Sequence, residues 1–197
     1  MSTTQFQTVH NAIQQLVPKL ATMQHYASQP GSPLYNDVTM RTCSQIFDAL
    51  ITELRGSIAT NACTTTKFLV NNILSGLAQH EQSTDTKKLA LRRFLESASL
   101  RDGGRNASSL ANKFNRLLGS INQHYHTLSQ MGSNPEAVIN LMRTVLGGLN
   151  NIKQFYNQIE RSIGNFKIQL DQGAGEVQGV ESEVRWLTAM SVDLNNI

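Results

Sequence analysis

A chain of 197 residues, 40% apolar and 16% charged, suits one ordinary domain or one elongated one and can bury a substantial core. Its four prolines and two cysteines exclude a turn-rich all-β chain, a Pro-rich linker and a disulfide framework. No apolar run is long enough to cross a membrane, and the formal net charge of +3 is unevenly placed along the chain.

The first helix is expected from about Thr4 to Ala27. Phe6, Val9, Ile13, Leu16, Leu20, Met23 and Ala27 recur in steps of three and four, the spacing of one helical face. Pro18 falls inside it, so the helix should kink near residue 17 or begin there. Met1 to Gln7 carry neither a basic cluster nor an apolar run, so a Sec-type signal peptide is not expected. The clearest break in the chain is Gln29-Pro-Gly-Ser-Pro33.

Asp37 suits the N-cap of a second helix. Its stripe is Met40, Cys43, Phe47, Leu50 and Leu54, widened by Ile46, Ile51 and Ile58, which implies neighbours on two sides. Cys43 lies on this stripe and Cys63 in helical-looking sequence, so both read as small buried thiols. Gly56 and the run Thr60 to Thr66 weaken helicity. A third helical stretch carries Leu69, Ile73 and Leu77; the residues alone leave open whether it continues the second.

Ser83-Thr-Asp85 opens a fourth helix through Leu89, Leu91, Phe94, Leu95 and Ala98, and Asp102-Gly-Gly104 is expected to end it. A fifth, from about Asn106, carries Leu110, Phe114, Leu117, Ile121, His124, Leu128 and Met131. Gly132-Ser-Asn-Pro135 then reads as a stop followed by a start. Asn134 caps, Pro135 takes the first helical position, and Glu136 suits the positive end of the helix dipole.

The stretch that follows has the most regular pattern. Val138, Met142, Val145, Leu149, Ile152, Tyr156, Ile159, Ile163, Phe166 and Leu170 alternate steps of four and three. The same phase passes through Gly173 to Val177, Val180, Val184, Leu187, Ser191 and Leu194. A seam repeating every 3.5 residues is the signature of a coiled coil. Three glycines at 173, 175 and 179 cost about 3 kcal/mol relative to alanine, yet the undisturbed phase predicts one continuous helix. Straight, it would span about 85 Å, against a diameter of roughly 40–45 Å for a compact domain of this size. A nucleotide-binding glycine loop is excluded, because a helix and not a strand precedes these glycines.

The expected fold is therefore all-α, an elongated antiparallel helical bundle or coiled coil built around a long C-terminal helix. Residues 1–133 form a helical bundle segment and 134–197 the coiled-coil helix, within a single domain. The expected interface is the seam Val145, Leu149, Ile152, Tyr156, Ile159, Ile163, Phe166, Leu170, Val177, Val180, Val184 and Leu187. Its partner is another copy, another helical protein, or the chain's own stripes at Phe6–Ala27 and Leu110–Met131. Trp186, beside Leu187, either widens the seam or anchors a subunit interface.

Charge concentrates in residues 86–116. Lys87, Lys88, Arg92, Arg93, Arg101, Arg105, Lys113 and Arg116 stand there against only Glu96 and Asp102, so this segment supplies the whole basic balance. Such a patch either meets phosphate or an acidic protein face, or is a solvated face pairing with acids such as Glu176, Glu181 and Glu183. Phe94 and Phe114 nearby lie on apolar stripes and read as core.

Catalytic signatures are missing. His124 and His126 sit two apart and point to opposite sides of a helix. There is no HExxH, Cys–His cluster, EF-hand loop, GxSxG or P-loop. No enzyme activity, metal or cofactor is expected. Glu176-Val-Gln178, Leu187-Thr188 and Asp193-Leu194 loosely resemble the end of the filament and tip proteins of type III secretion, which also finish in a long coiled-coil helix. The strongly apolar N-terminal helix of the filament family is missing here. That resemblance implies a secreted filament, tip or effector protein. The sequence thus supports a non-enzymatic assembly or interaction protein, with nucleic-acid packaging through the basic patch as the alternative.

Overall fold

A computed structural model describes residues 3–197, and the described residues contain helices and no strand. Helix α1 spans Thr3–Ala27, and its whole apolar stripe is buried. Pro18 neither breaks nor starts it. The ring lies on the exposed face, so the donor it removes belongs to the solvent side, where the freed carbonyl is open to water. Gly31, at φ +90°, turns the chain at the expected break. Asp37 then caps α2 (Val38–Arg41) by accepting from the Met40 amide at 3.1 Å.

From α2 to Leu77 the chain follows one helical path. It comprises α3 (Cys43–Glu53), a π-helical segment (Leu54–Ala59), α4 (Thr60–Phe68), a second π segment (Leu69–Leu74) and the single turn α5 (Ser75–Leu77). The expected weak points do not reverse it. Gly56 sits within the first π segment, and Thr66 bonds back to the Ala62 carbonyl at 2.8 Å instead of competing for another conformation. Each π turn inserts one extra residue and re-aims the stripe, so Leu54, Ile58, Ala62, Leu69 and Leu77 all stay buried.

Ser83 caps α6 (Thr84–Leu95) through the Thr86 amide at 3.2 Å. The helix ends at Leu95, earlier than Asp102-Gly-Gly104 suggested, and α7 runs from Ala98 to Gln123 straight through those glycines. Gly103 is buried under the Tyr156 ring, and a Cβ there would overlap it. It is a contact residue inside a helix. His124 interrupts the helical run before α8 (Tyr125–Gln130).

Helix α9 (Pro135–Asp171) begins as expected, with Asn134 accepting from the Ala137 amide at 3.1 Å and Pro135 in the first turn. Its 37 residues extend about 55 Å. It does not continue to Leu194. Gly173 takes φ +85°, its amide bonds the Leu170 carbonyl at 3.1 Å, and the Ala174 amide bonds the Gln169 carbonyl at 3.0 Å. These are the two bonds of a Schellman stop. Gly179, at φ +87°, opens the short α10 (Val180–Leu194). The expected continuous helix is thus two helices joined by a reversal. The heptad phase survives only because Val177 and Val180 are buried in the turn itself and at the next helix start. With the long terminal helix gone, the premise of the likeness to secretion filament and tip proteins goes with it.

Three ties hold this reversal. The Gln169 amide clamps Gln178, accepting from its N–H at 2.7 Å and donating to its carbonyl at 3.1 Å. Lys87 donates to the Gly175 carbonyl at 3.3 Å, and His80 meets Glu176 at 2.6 Å.

Around α9 the other helices pack lengthwise. Helix α1 runs antiparallel to it, with Val9 against Gly148, where an added Cβ would come within 2.6 Å of a valine methyl. Helix α7 runs antiparallel on another side, with Gly103 against Tyr156. Helix α3 closes the cross-section between α1 and α7. Cys43 Sγ donates to the Leu20 carbonyl at 3.3 Å, and Phe47 meets Phe114 edge-on at 6.0 Å. Helix α6 covers the second half of α9, and α10 folds back over α1, α4 and the second π segment. The seam of α9 therefore faces this chain's own helices.

Candidate anion-binding cleft

Eleven of the twelve seam residues are core. Val145, Leu149, Ile152, Tyr156, Ile159, Ile163, Phe166 and Leu170 are all buried along α9, Val177 lies in the turn, and Val180 and Leu187 are buried on α10. Val184 is partly buried. Trp186 is also partly buried, with its ring centroid 5.8 Å from that of Phe155.

The eight basic residues of 86–116 do not form one surface. Lys87 is only 2% exposed and is spent on the Gly175 carbonyl. Lys88 faces Asp171 at 3.5 Å and Lys113 faces Glu53 at 3.2 Å. Of the three acids named from sequence as partners, Glu176 pairs with His80 and Glu181 with Arg185, and neither meets a cation of 86–116. Arg92 and Arg93 on α6 and Arg116 further along α7 are exposed.

Arg101 and Arg105 do converge, on an open cleft of about 560 Å³ between α7 and α9. Its α7 wall is Arg101, Gly104, Arg105, Ser108, Ser109 and Asn112, and its α9 wall is Lys153 and Asn157. The local sequence explains the shape. Arg101, Arg105, Ser108 and Asn112 follow steps of four, three and four, so one face of α7 presents them together. Gly103, having no side chain, lets the Tyr156 ring close onto the α7 backbone. Lys153 lies one turn before Tyr156 and so emerges on the same rim.

Three cations line the cleft and no carboxylate does. Arg101 has a competing acid in Asp102, 3.5 Å from its Nε, with both side chains about half exposed; such a surface pair holds little free energy. Serine hydroxyls and asparagine amides add neutral donors. The arrangement can bind an anionic oxygen cluster, because guanidinium groups fork onto phosphate or carboxylate oxygens. Under the cleft, burial pushes the Tyr156 hydroxyl up to about 12, while its oxygen accepts from Asn61 Nδ2 at 3.3 Å. It stays a protonated structural group at neutral pH.

Lys153 was missed from sequence because it lies on α9, outside the basic segment. The pairing of Gly103 with Tyr156 is the signal that would have found it. Elsewhere, burial raises the Cys43 thiol to about 11 and also raises Cys63, so neither is a poised nucleophile. Among the described residues no three or more His, Cys, Asp or Glu side chains gather to hold a metal ion, and no helix is long and apolar enough to cross a membrane. Comparison with protein-family models, curated proteins and solved structures finds no match to this chain.

Proposed function

We propose that the protein is a non-enzymatic helical binding protein whose α7–α9 cleft receives the phosphate backbone of nucleic acid. The observation that carries this reading is the convergence of Arg101, Arg105 and Lys153 on a cleft with no acidic lining. Each guanidinium would displace a condensed counterion from the strand, and Ser108, Ser109, Asn112 and Asn157 would take the remaining oxygens. No aromatic side chain lines the cleft, so no base is stacked or read, and the binding is independent of sequence. Self-association through the heptad seam has no observation in its favour, since α1 and α7 already occupy that seam.

Three phosphate contacts on a single strand give a log–log salt slope near 2, or roughly 20-fold weaker binding between ~50 and ~200 mM salt. Fluorescence anisotropy with labelled single-stranded RNA of mixed and uniform sequence measures this slope. The combined Arg101→Ala, Arg105→Ala and Lys153→Ala variant should lose both the affinity and the slope. Unchanged binding in that variant, or no binding by the parent chain at ~50 mM salt, refutes the reading.

A further inference from the structure

A second cleft, of about 400 Å³, lies between α9, α10 and the start of α1, with no Lys, Arg or His among the described residues that line it. Its α9 wall carries the amides of Asn151, Gln154 and Gln158, whose steps of three and four put them on one face. Phe155 lies deeper and is 1% exposed, with the Trp186 ring tilted beside it. Glu183 stands one turn before Trp186 on the same side of α10. Its Oε1 atom is buried and has no hydrogen-bond partner.

Glu183 is an exception among the acids around the reversal. Asp171 and Glu181 each have a Lys or Arg within 4.0 Å and Glu176 meets His80, whereas Glu183 has no such partner among the described residues. Its buried oxygen has given up its hydration with no hydrogen bond in return, and only the positive end of α10, in whose first turn Glu183 lies, offsets the loss. Glu183 shares the cleft wall with the Trp186 ring, whose face attracts cations through its quadrupole, and with amide carbonyls that accept further N–H bonds.

We propose that this cleft binds an alkylguanidinium group. The planar cation would stack on the exposed part of Trp186, donate to the Glu183 carboxylate and spread its remaining N–H groups over the amides. A quaternary ammonium has the charge but no N–H for the carboxylate, and a bare ammonium lacks the plane that covers an indole. The site is separate from the phosphate-binding cleft and does not depend on that reading.

Trp186 is the chain's only tryptophan, so its fluorescence reports this cleft directly. The full chain is titrated with N-acetyl-arginine methylamide, with the isosteric neutral citrulline derivative, and with a short arginine-containing peptide. A saturable Trp186 change below ~10 mM with the arginine compound, at least ~10-fold weaker with citrulline, is the expected result. The Glu183→Gln variant, which keeps the side chain's shape, should weaken arginine binding by about the same factor. Peptide binding ~10-fold tighter than the capped amino acid identifies a partner protein's arginine as the source; equal binding identifies a free guanidino compound. No saturable change, equal response to citrulline, or an unaffected Glu183→Gln variant overturns the proposal.

Discussion

Gly103→Ala sets two opposing effects against each other at one position. Inside a helix, replacing glycine by alanine stabilises by roughly 1 kcal/mol. At Gly103 the new methyl meets the Tyr156 ring. That ring cannot swing away freely. It is 2% exposed, bonded to Asn61 at 3.3 Å and packed edge-on against Phe155 at 5.4 Å. Overpacking a core site costs about 1–3 kcal/mol, and losing the tyrosine hydrogen bond about 1 more. The steric side wins, leaving a net destabilisation of about 1–3 kcal/mol. With a urea slope of about 2–3 kcal/mol/M, the midpoint should fall by roughly 0.3–1.5 M. Gly104→Ala is the matched control. Nothing lies within 4 Å of a Cβ placed there, so only the propensity gain acts, and the midpoint should rise. Opposite signs at adjacent glycines follow from α7 running through both and from Tyr156 packing on one. Two rising midpoints, or two unchanged ones, would refute that reasoning.

Gly173→Ala should destabilise by roughly 1–2 kcal/mol, the cost of a left-handed alanine, whereas a continuous helix there would be stabilised; urea midpoints give the sign. Ile163→Asp places a charge at a fully buried position and should unfold the chain at every protein concentration, costing more than ~4 kcal/mol. A folded variant that merely dissociates from an oligomer, seen by sedimentation, would contradict the assignment of the seam to the core. Asp37 is held below its ordinary value of 3.8; desolvation pushes up, but the Met40 amide and His124 pull further down. Its folded value being depressed, its stabilisation is complete above 3.8 and disappears as pH falls through the folded value. Asp37→Asn keeps the cap and removes the charge, so its urea midpoint should drop less than that of the parent chain on acidification below 3.8. Equal drops would show that Asp37 contributes nothing to the acid response.

What the residues disclosed and what they concealed divides along physical lines. Caps at Asp37, Ser83 and Asn134 were readable because a cap is local: one side chain meets an amide two or three residues on. The stripe of α1 was readable because Pro18 happens to face solvent, though the sequence suggested a break there. The glycines were misread in both directions. Gly103-Gly104 looked like a stop and lies within a helix, and Gly173 to Gly179 looked passable and reverses the chain. Glycine marks a place where a side chain is not tolerated, without saying whether a neighbouring ring or a positive φ is the reason. That reason lies with Tyr156, which is 53 residues from Gly103 in the chain. Half of the cationic cleft was likewise legible as Arg101 and Arg105. Lys153 joins them only once α7 and α9 are set in register.

The fold-back of α10 has a consequence for how this chain reaches its native state. Helices α7 and α9 are near neighbours in sequence and can pair early as a hairpin. Helices α1 and α10 touch across almost the whole chain length, a closure that bears its loop entropy late. The flank of α1 that α10 covers must wait, exposed, until the last helix docks. The clamp of Gln169 on Gln178 fixes the direction in which the chain leaves the turn, so that α10 starts out aimed back along the bundle. The reversal that ends the long seam is thus the latch through which the two ends of the described chain find each other.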